Sequence, residues 1–108
     1  MTVTTQCLYQ AQTAPTAQTT IYGPVSSRTI IDKVSTYGVA AGDLTINLVA
    51  AAGAAGATNV MEKKTHAVGE SYTWPGVTGH TLNPGDLISV IASAGAQINL
   101  RVNGRSIT

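Results

Sequence analysis

The chain has 108 residues, which suits one domain and leaves little room for a second core. Only 10% of the residues are charged, against about a quarter in a typical soluble domain, and the formal net charge is +1. This balance excludes a nucleic-acid stripe, because Arg101 and Arg105 with Lys63 and Lys64 are too few to track phosphates, and no apolar run approaches the ~20 residues of a membrane helix.

Threonine, valine and isoleucine dominate the bulky positions, and β-branched side chains fit a pleated surface. In chain order, the first strand is predicted over Val3–Gln10, followed by a polar loop through Pro15. Thr19–Tyr22 reads as a short strand closed by Gly23-Pro24, and Arg28–Tyr37 as a long one. Its neighbours Ile30 and Ile31 break the alternation, which suggests a bulge or a strand covered on both faces. After a turn at residues 39–43, Leu44, Ile46 and Leu48 alternate with Thr45 and Asn47, so one face is apolar.

The Ala/Gly stretch at residues 50–57 is predicted as a loop at one end of the molecule, since two glycines and no large apolar anchor disfavour a helix. Strands follow over Asn59–Thr65 and Ser71–Trp74, with a less regular extended run from Val77 to Leu82. Asn83-Pro84-Gly85-Asp86 is a strong turn signal. Leu87–Ala92 and Gln97–Asn103 complete the set, and Asn103-Gly104 reads as a tight turn before a short tail. About eight strands at intervals of roughly 8–12 residues predict an all-β fold, a single antiparallel β-sandwich over residues 1–108. Residues 1–18 form a candidate extended N-terminal arm. Trp74 is read as a core anchor, with an interface as the alternative.

A search for chemistry returns no catalytic, metal or cofactor site. His66 and His80 lie beside predicted turns with no ligand partner at short spacing, so both are read as exposed turn histidines. Cys7 is the lone cysteine, with no local base to activate it, and reads as a small apolar residue of the first strand. Asp43, Glu70 and Asp86 each follow glycine, where acids bind backbone groups in turns. No Gly-x-Ser-x-Gly elbow, Asp-x-Asp-x-Asp loop or Gly-Lys-Ser/Thr phosphate loop is present. The expectation is a non-enzyme without cofactors.

Two stretches carry a resemblance. One is Ala41-Gly42-Asp43-Leu44-Thr45-Ile46-Asn47-Leu48-Val49-Ala50, which runs into the Ala/Gly loop and Asn59-Val60. The other is Val68-Gly69-Glu70-Ser71-Tyr72 followed by Leu82-Asn83-Pro84-Gly85-Asp86-Leu87 and a strand of Ile, Val, Ser and Ala. This order resembles small β-sandwich virion proteins of tailed bacteriophages. The resemblance implies a virion structural protein made in the host cytoplasm, first of all a capsid decoration or cement protein bound to the major capsid protein. Collar, tail, baseplate or fibre components are the alternative within the virion. It carries over no catalytic residue.

Low charge and open sheet edges point to a part that functions in an assembly, as a homo-oligomer such as a dimer or trimer. The candidate partner contacts are Tyr9 and the loop residues Ala51, Ala52, Gly53, Ala54, Ala55 and Gly56, where small side chains let backbones approach closely. A different class of function, a carbohydrate-binding module, remains open. It would use Tyr72 and Trp74, two apart on one strand and therefore on one face, as stacking rings.

Overall fold

The structure is a computed structural model and describes residues 2–108. Its strands are β1 (Val3–Thr13), β2 (Thr19–Tyr22), β3 (Arg28–Ala40), β4 (Gly42–Val49), β5 (Val60–His66), β6 (Ser71–Thr73), β7 (Thr81–Leu82), β8 (Leu87–Ala92) and β9 (Gln97–Ile107). One turn of 3-10 helix, Ala57–Asn59, precedes β5. The strands form two antiparallel sheets packed face to face. One has the order β1-β9-β3-β6 with β7 also on β3, and the other the order β2-β8-β4-β5. This is an all-β sandwich, as the alternating sequence predicted, and its strand order is that of a jelly roll.

Alternation explains which side of each strand is buried. On β9, Ile98, Leu100 and Val102 are buried while Gln97, Asn99 and Arg101 are exposed. On β4, Leu44 and Ile46 enter the core from the opposite sheet, and Ile88, Val90 and Ala92 of β8 join them. Trp74, just beyond β6, is fully buried among them. Each large apolar side chain removed from water in this way contributes roughly 1.5–3 kcal/mol.

Several local readings change. The first strand, predicted over Val3–Gln10, is edge strand β1 and runs on to Thr13, paired with β9 from Val3↔Ile107 to Thr13↔Asn99, so residues 3–13 of the candidate arm over 1–18 lie in the sheet. β3 continues to Ala40 and β4 begins at Gly42, so the turn expected over residues 39–43 shrinks to Ala41, where the chain switches sheets.

Asn103-Gly104 is not a turn but the middle of β9. Gly104 sits between Gln6 of β1 and Ile31 of β3. A Cβ there would meet Ile30 O at 2.5 Å and Leu8 Cδ1 at 2.8 Å. The glycine therefore serves a close approach between packed strands rather than a reversal of the chain.

Candidate functional site

Two regions concentrate polar structure: a buried cluster where β3, β5 and β6 meet, and the four sheet edges. The buried cluster centres on Thr36 of β3. Its hydroxyl oxygen lies 2.6 Å from His66 Nε2 and accepts the Trp74 indole N–H at 2.9 Å. His66 Nδ1 lies 3.2 Å from the Lys64 carbonyl oxygen, which can only accept, so Nδ1 carries the proton. Nε2 of the neutral ring then accepts the Thr36 hydroxyl.

Burial holds the His66 imidazolium form back and lowers its pKa, against a smaller upward pull from the Lys64 carbonyl bond. The rings of Tyr72, Trp74 and His66 pack around this hub, with Tyr72 and Trp74 edge to face at 5.4 Å. Outside it, the Tyr72 hydroxyl donates to Glu62, whose other oxygen accepts the Gly76 N–H at 2.7 Å. The Glu62 bond raises the Tyr72 phenol pKa. This network closes the β5–β6 side of the sandwich.

The reading of His66 as an exposed turn histidine is thus overturned, because it closes β5 inside the cluster at 1% exposure. The stacking platform is also corrected. Tyr72 and Trp74 do share a face, but it is the inner one. Trp74 is at 0% exposure and has no ring face for a sugar, while the half-buried Tyr72 has its hydroxyl on Glu62 and Lys64 Nζ 5.0 Å over its ring. His80 is exposed, and its carbonyl accepts the Ile31 N–H at 3.0 Å. Cys7 is half-buried, with its thiol donating to the carbonyls of Tyr9 and Val102. Among the described residues no three of His, Cys, Asp and Glu gather as metal ligands.

The candidate contact loop is largely exposed, with Ala55 half-buried, but it is not loosely held. Asn47 of β4 donates to Gly56 O at 3.1 Å and to Asn59 Oδ1 at 2.7 Å, and Asn59 donates to Ala54 O at 2.9 Å. Ala51 N–H donates to Asp86 at 3.2 Å, which ties the loop to the turn before β8. Ala52 holds a positive φ of 62° without being glycine. Tyr9, the other candidate contact, is half-buried against the core, and this burial raises its phenol pKa. Asp86 accepts the N–H groups of Asn83 and Ala51, as expected of an acid that follows glycine in a turn, while the roles of Asn47 and Asn59 depend on partners that the sheet sets.

The edges differ sharply in protection. β5 presents Glu62, Lys63 and Lys64 in succession, β2 is four residues long, and β6 and β7 are three and two. Charges and shortness are the usual means of blocking edge-to-edge association. β1, Val3-Thr-Thr-Gln-Cys-Leu-Tyr-Gln-Ala-Gln-Thr13, has neither over 11 residues and contains no proline. Two register irregularities flank Tyr9, between Cys7 and Tyr9 and between Tyr9 and Gln12, and leave Val3–Cys7 as its longest regular stretch. Among the described residues no backbone hydrogen bond links its free edge to another strand. The signal is present in the sequence as an uncharged strand segment, but its position at a sheet edge is not.

No protein-family model and no curated protein matches this sequence. Among solved structures, the chain is similar to a chain in the structure described as "Bacillus endospore appendages form a novel family of disulfide-linked pili", at 17% identity and a TM-score of 0.53, covering 99% of this chain and 90% of that one. The likeness extends over the whole sandwich and is one of fold.

Proposed function

We propose that this chain is a structural subunit that works by association: the free edge of β1 pairs with a second copy and joins neighbouring sandwiches. The observation that carries this is the contrast between the uncharged, 11-residue β1 and the charged or short strands at the other edges. An open ladder of N–H and C=O groups recruits another strand by main-chain hydrogen bonds. Low overall charge reduces the repulsion that keeps monomers apart. Repetition over many copies turns modest contacts into a stable particle.

Two settings suit such a subunit. The sequence resemblance favours a tailed-phage virion, where the chain would decorate the capsid on the major capsid protein or sit in the collar or tail. The sandwich likeness to a pilus chain favours a filament. The copy number per purified particle separates them: hundreds on a shell, small rings at a neck or tail, or a continuous series along a fibre.

The association itself is tested with Thr5→Lys/Gln10→Lys, which places two charges on exposed β1 positions. Sedimentation is expected to show oligomers for the wild type and monomers for the variant. A monomeric wild type at high concentration, or an equally oligomeric variant, would overturn the proposal.

A further inference from the structure

Three cations without a carboxylate partner gather on one face, while the two acids without a cationic partner, Glu62 and Asp86, hold hydrogen-bond donors elsewhere. Each of the five carboxylate side chains is engaged within the chain. Asp32 accepts Arg105 Nε at 2.9 and 3.1 Å. Asp43 accepts the Thr65 hydroxyl at 2.7 Å and lies 3.6 Å from Lys63 Nζ. Glu62 holds Tyr72 and the Gly76 N–H. Glu70 holds the Ala67 N–H at 2.9 Å and Lys64 at 3.2 Å. Asp86 accepts the N–H groups of Asn83 and Ala51. Among the described residues three cations, Arg28, Lys33 and Arg101, have no carboxylate partner.

All three are exposed and lie on the outer face of the β1-β9-β3-β6 sheet. Val34 pairs with Val102, and both are buried, so their flanking residues Lys33, Ser35, Arg101 and Asn103 face outward. Arg101 stands opposite Ser35, which puts Lys33 on its diagonal at about 7–8 Å between backbones. Arg28, preceding the buried Thr29, extends the cationic line by roughly 16 Å along β3. Beside Arg101 the surface dips into a groove of about 180 Å³ bordered by Ala11, Tyr37 and Asn99. Tyr37 is 46% exposed. Tyrosine and arginine around a depression are the side chains that most often anchor protein interfaces.

We propose that this face docks a different protein of acidic surface, with an apolar anchor side chain in the groove and acidic residues paired with Arg101, Lys33 and Arg28. A second copy of this chain is the wrong occupant. Its carboxylates are already engaged, and two such faces would bring like charges together. The site shares only Ala11 with β1 and does not rest on β1 pairing.

The test is to pan a random displayed peptide library against the immobilised protein, then titrate a selected peptide into wild type, Lys33→Glu/Arg101→Glu, Tyr37→Ala and the β1 variant. Selected peptides are expected to place Asp or Glu around an apolar residue and to bind more weakly as salt rises. Binding should fall about tenfold or more in the charge-reversed protein and in Tyr37→Ala, with each unfolding midpoint measured to confirm a folded chain. The β1 variant should bind no more weakly than the wild type, since its two lysines only add positive charge to the sheet, which keeps this result distinct from that of self-association. No selection, a consensus without acids, or undiminished binding by the two face variants would overturn the proposal. A parallel glycan array that found uronate or sialate binding lost in Lys33→Glu/Arg101→Glu would assign the face to an acidic glycan and also overturn it.

Discussion

Thr36 Oγ1 and His66 Nε2, 30 residues apart in sequence, meet at 2.6 Å inside the sandwich. The contact joins β3 of one sheet to β5 of the other, and the same hydroxyl holds the Trp74 indole. One small side chain thereby satisfies polar groups of two large buried rings. Thr36→Val keeps the shape and removes the hub, leaving the Trp74 N–H and His66 Nε2 without partners. The expected cost is about 2 kcal/mol or more, read as a lower urea midpoint with an unchanged m value. A shift within about 0.5 kcal/mol, the size of an ordinary surface substitution, would show that the hub contributes nothing.

The protonation state of His66 gives a pH dependence with a definite sign. Its folded pKa lies below the ordinary 6.5 because burial disfavours the imidazolium, so the unfolded chain binds the proton more readily. The associated stability is complete above pH 6.5 and is lost as pH falls from there towards the folded pKa. Asp43 and Glu70 face the ring with opposite charge and Lys64 with like charge, and the two acids titrate below 3.8 and 4.5. Chemical unfolding between neutral pH and about pH 5 should therefore show falling stability in the wild type and a flatter profile in His66→Gln. Equal slopes would assign the loss to other groups.

Ala52 occupies the left-handed region at φ 62°. An L side chain there costs about 1–2 kcal/mol, and glycine avoids most of it. Ala52→Gly is expected to raise stability by about 0.5–1 kcal/mol despite the added freedom of the unfolded chain. Thermal unfolding measures it, and a lowered midpoint would count against this local geometry.

Gly104 tests the packing of the central strands. A methyl group there meets Ile30 O and Leu8, so Gly104→Ala must push β1 or β3 away from β9. Overpacking of this kind costs about 1–3 kcal/mol. Amide exchange should also speed up along β1. A variant as stable as the wild type would mean that the strands absorb the methyl group without strain.

The fold was legible because its signal is local. Leu44 and Ile46 alternate with Thr45, and Ile98, Leu100 and Val102 with Asn99 and Arg101, which set the faces of two central strands. What failed depends on distant residues. His66 looks like a turn residue until Thr36 is brought beside it. Asn103-Gly104 reads as a turn because that dipeptide favours one, whereas Leu8 and Ile30 demand the glycine for space. The Ala/Gly loop was placed correctly as a surface segment, but its wiring to Asn47, Asn59 and Asp86 needs the paired strands to be known. The candidate site was half visible: the missing charge of Val3–Thr13 is plain in the sequence, but its place at an open edge is not.

Hydrogen–deuterium exchange, resolved by residue and recorded at low and high protein concentration, tests the β1 joint most directly. If β1 pairs with a second copy, amides of Val3–Thr13 that face the free edge become protected as concentration rises, and those of the charged β5 edge do not. Protection that appears on β5 instead, or a β1 whose exchange is independent of concentration, would contradict it.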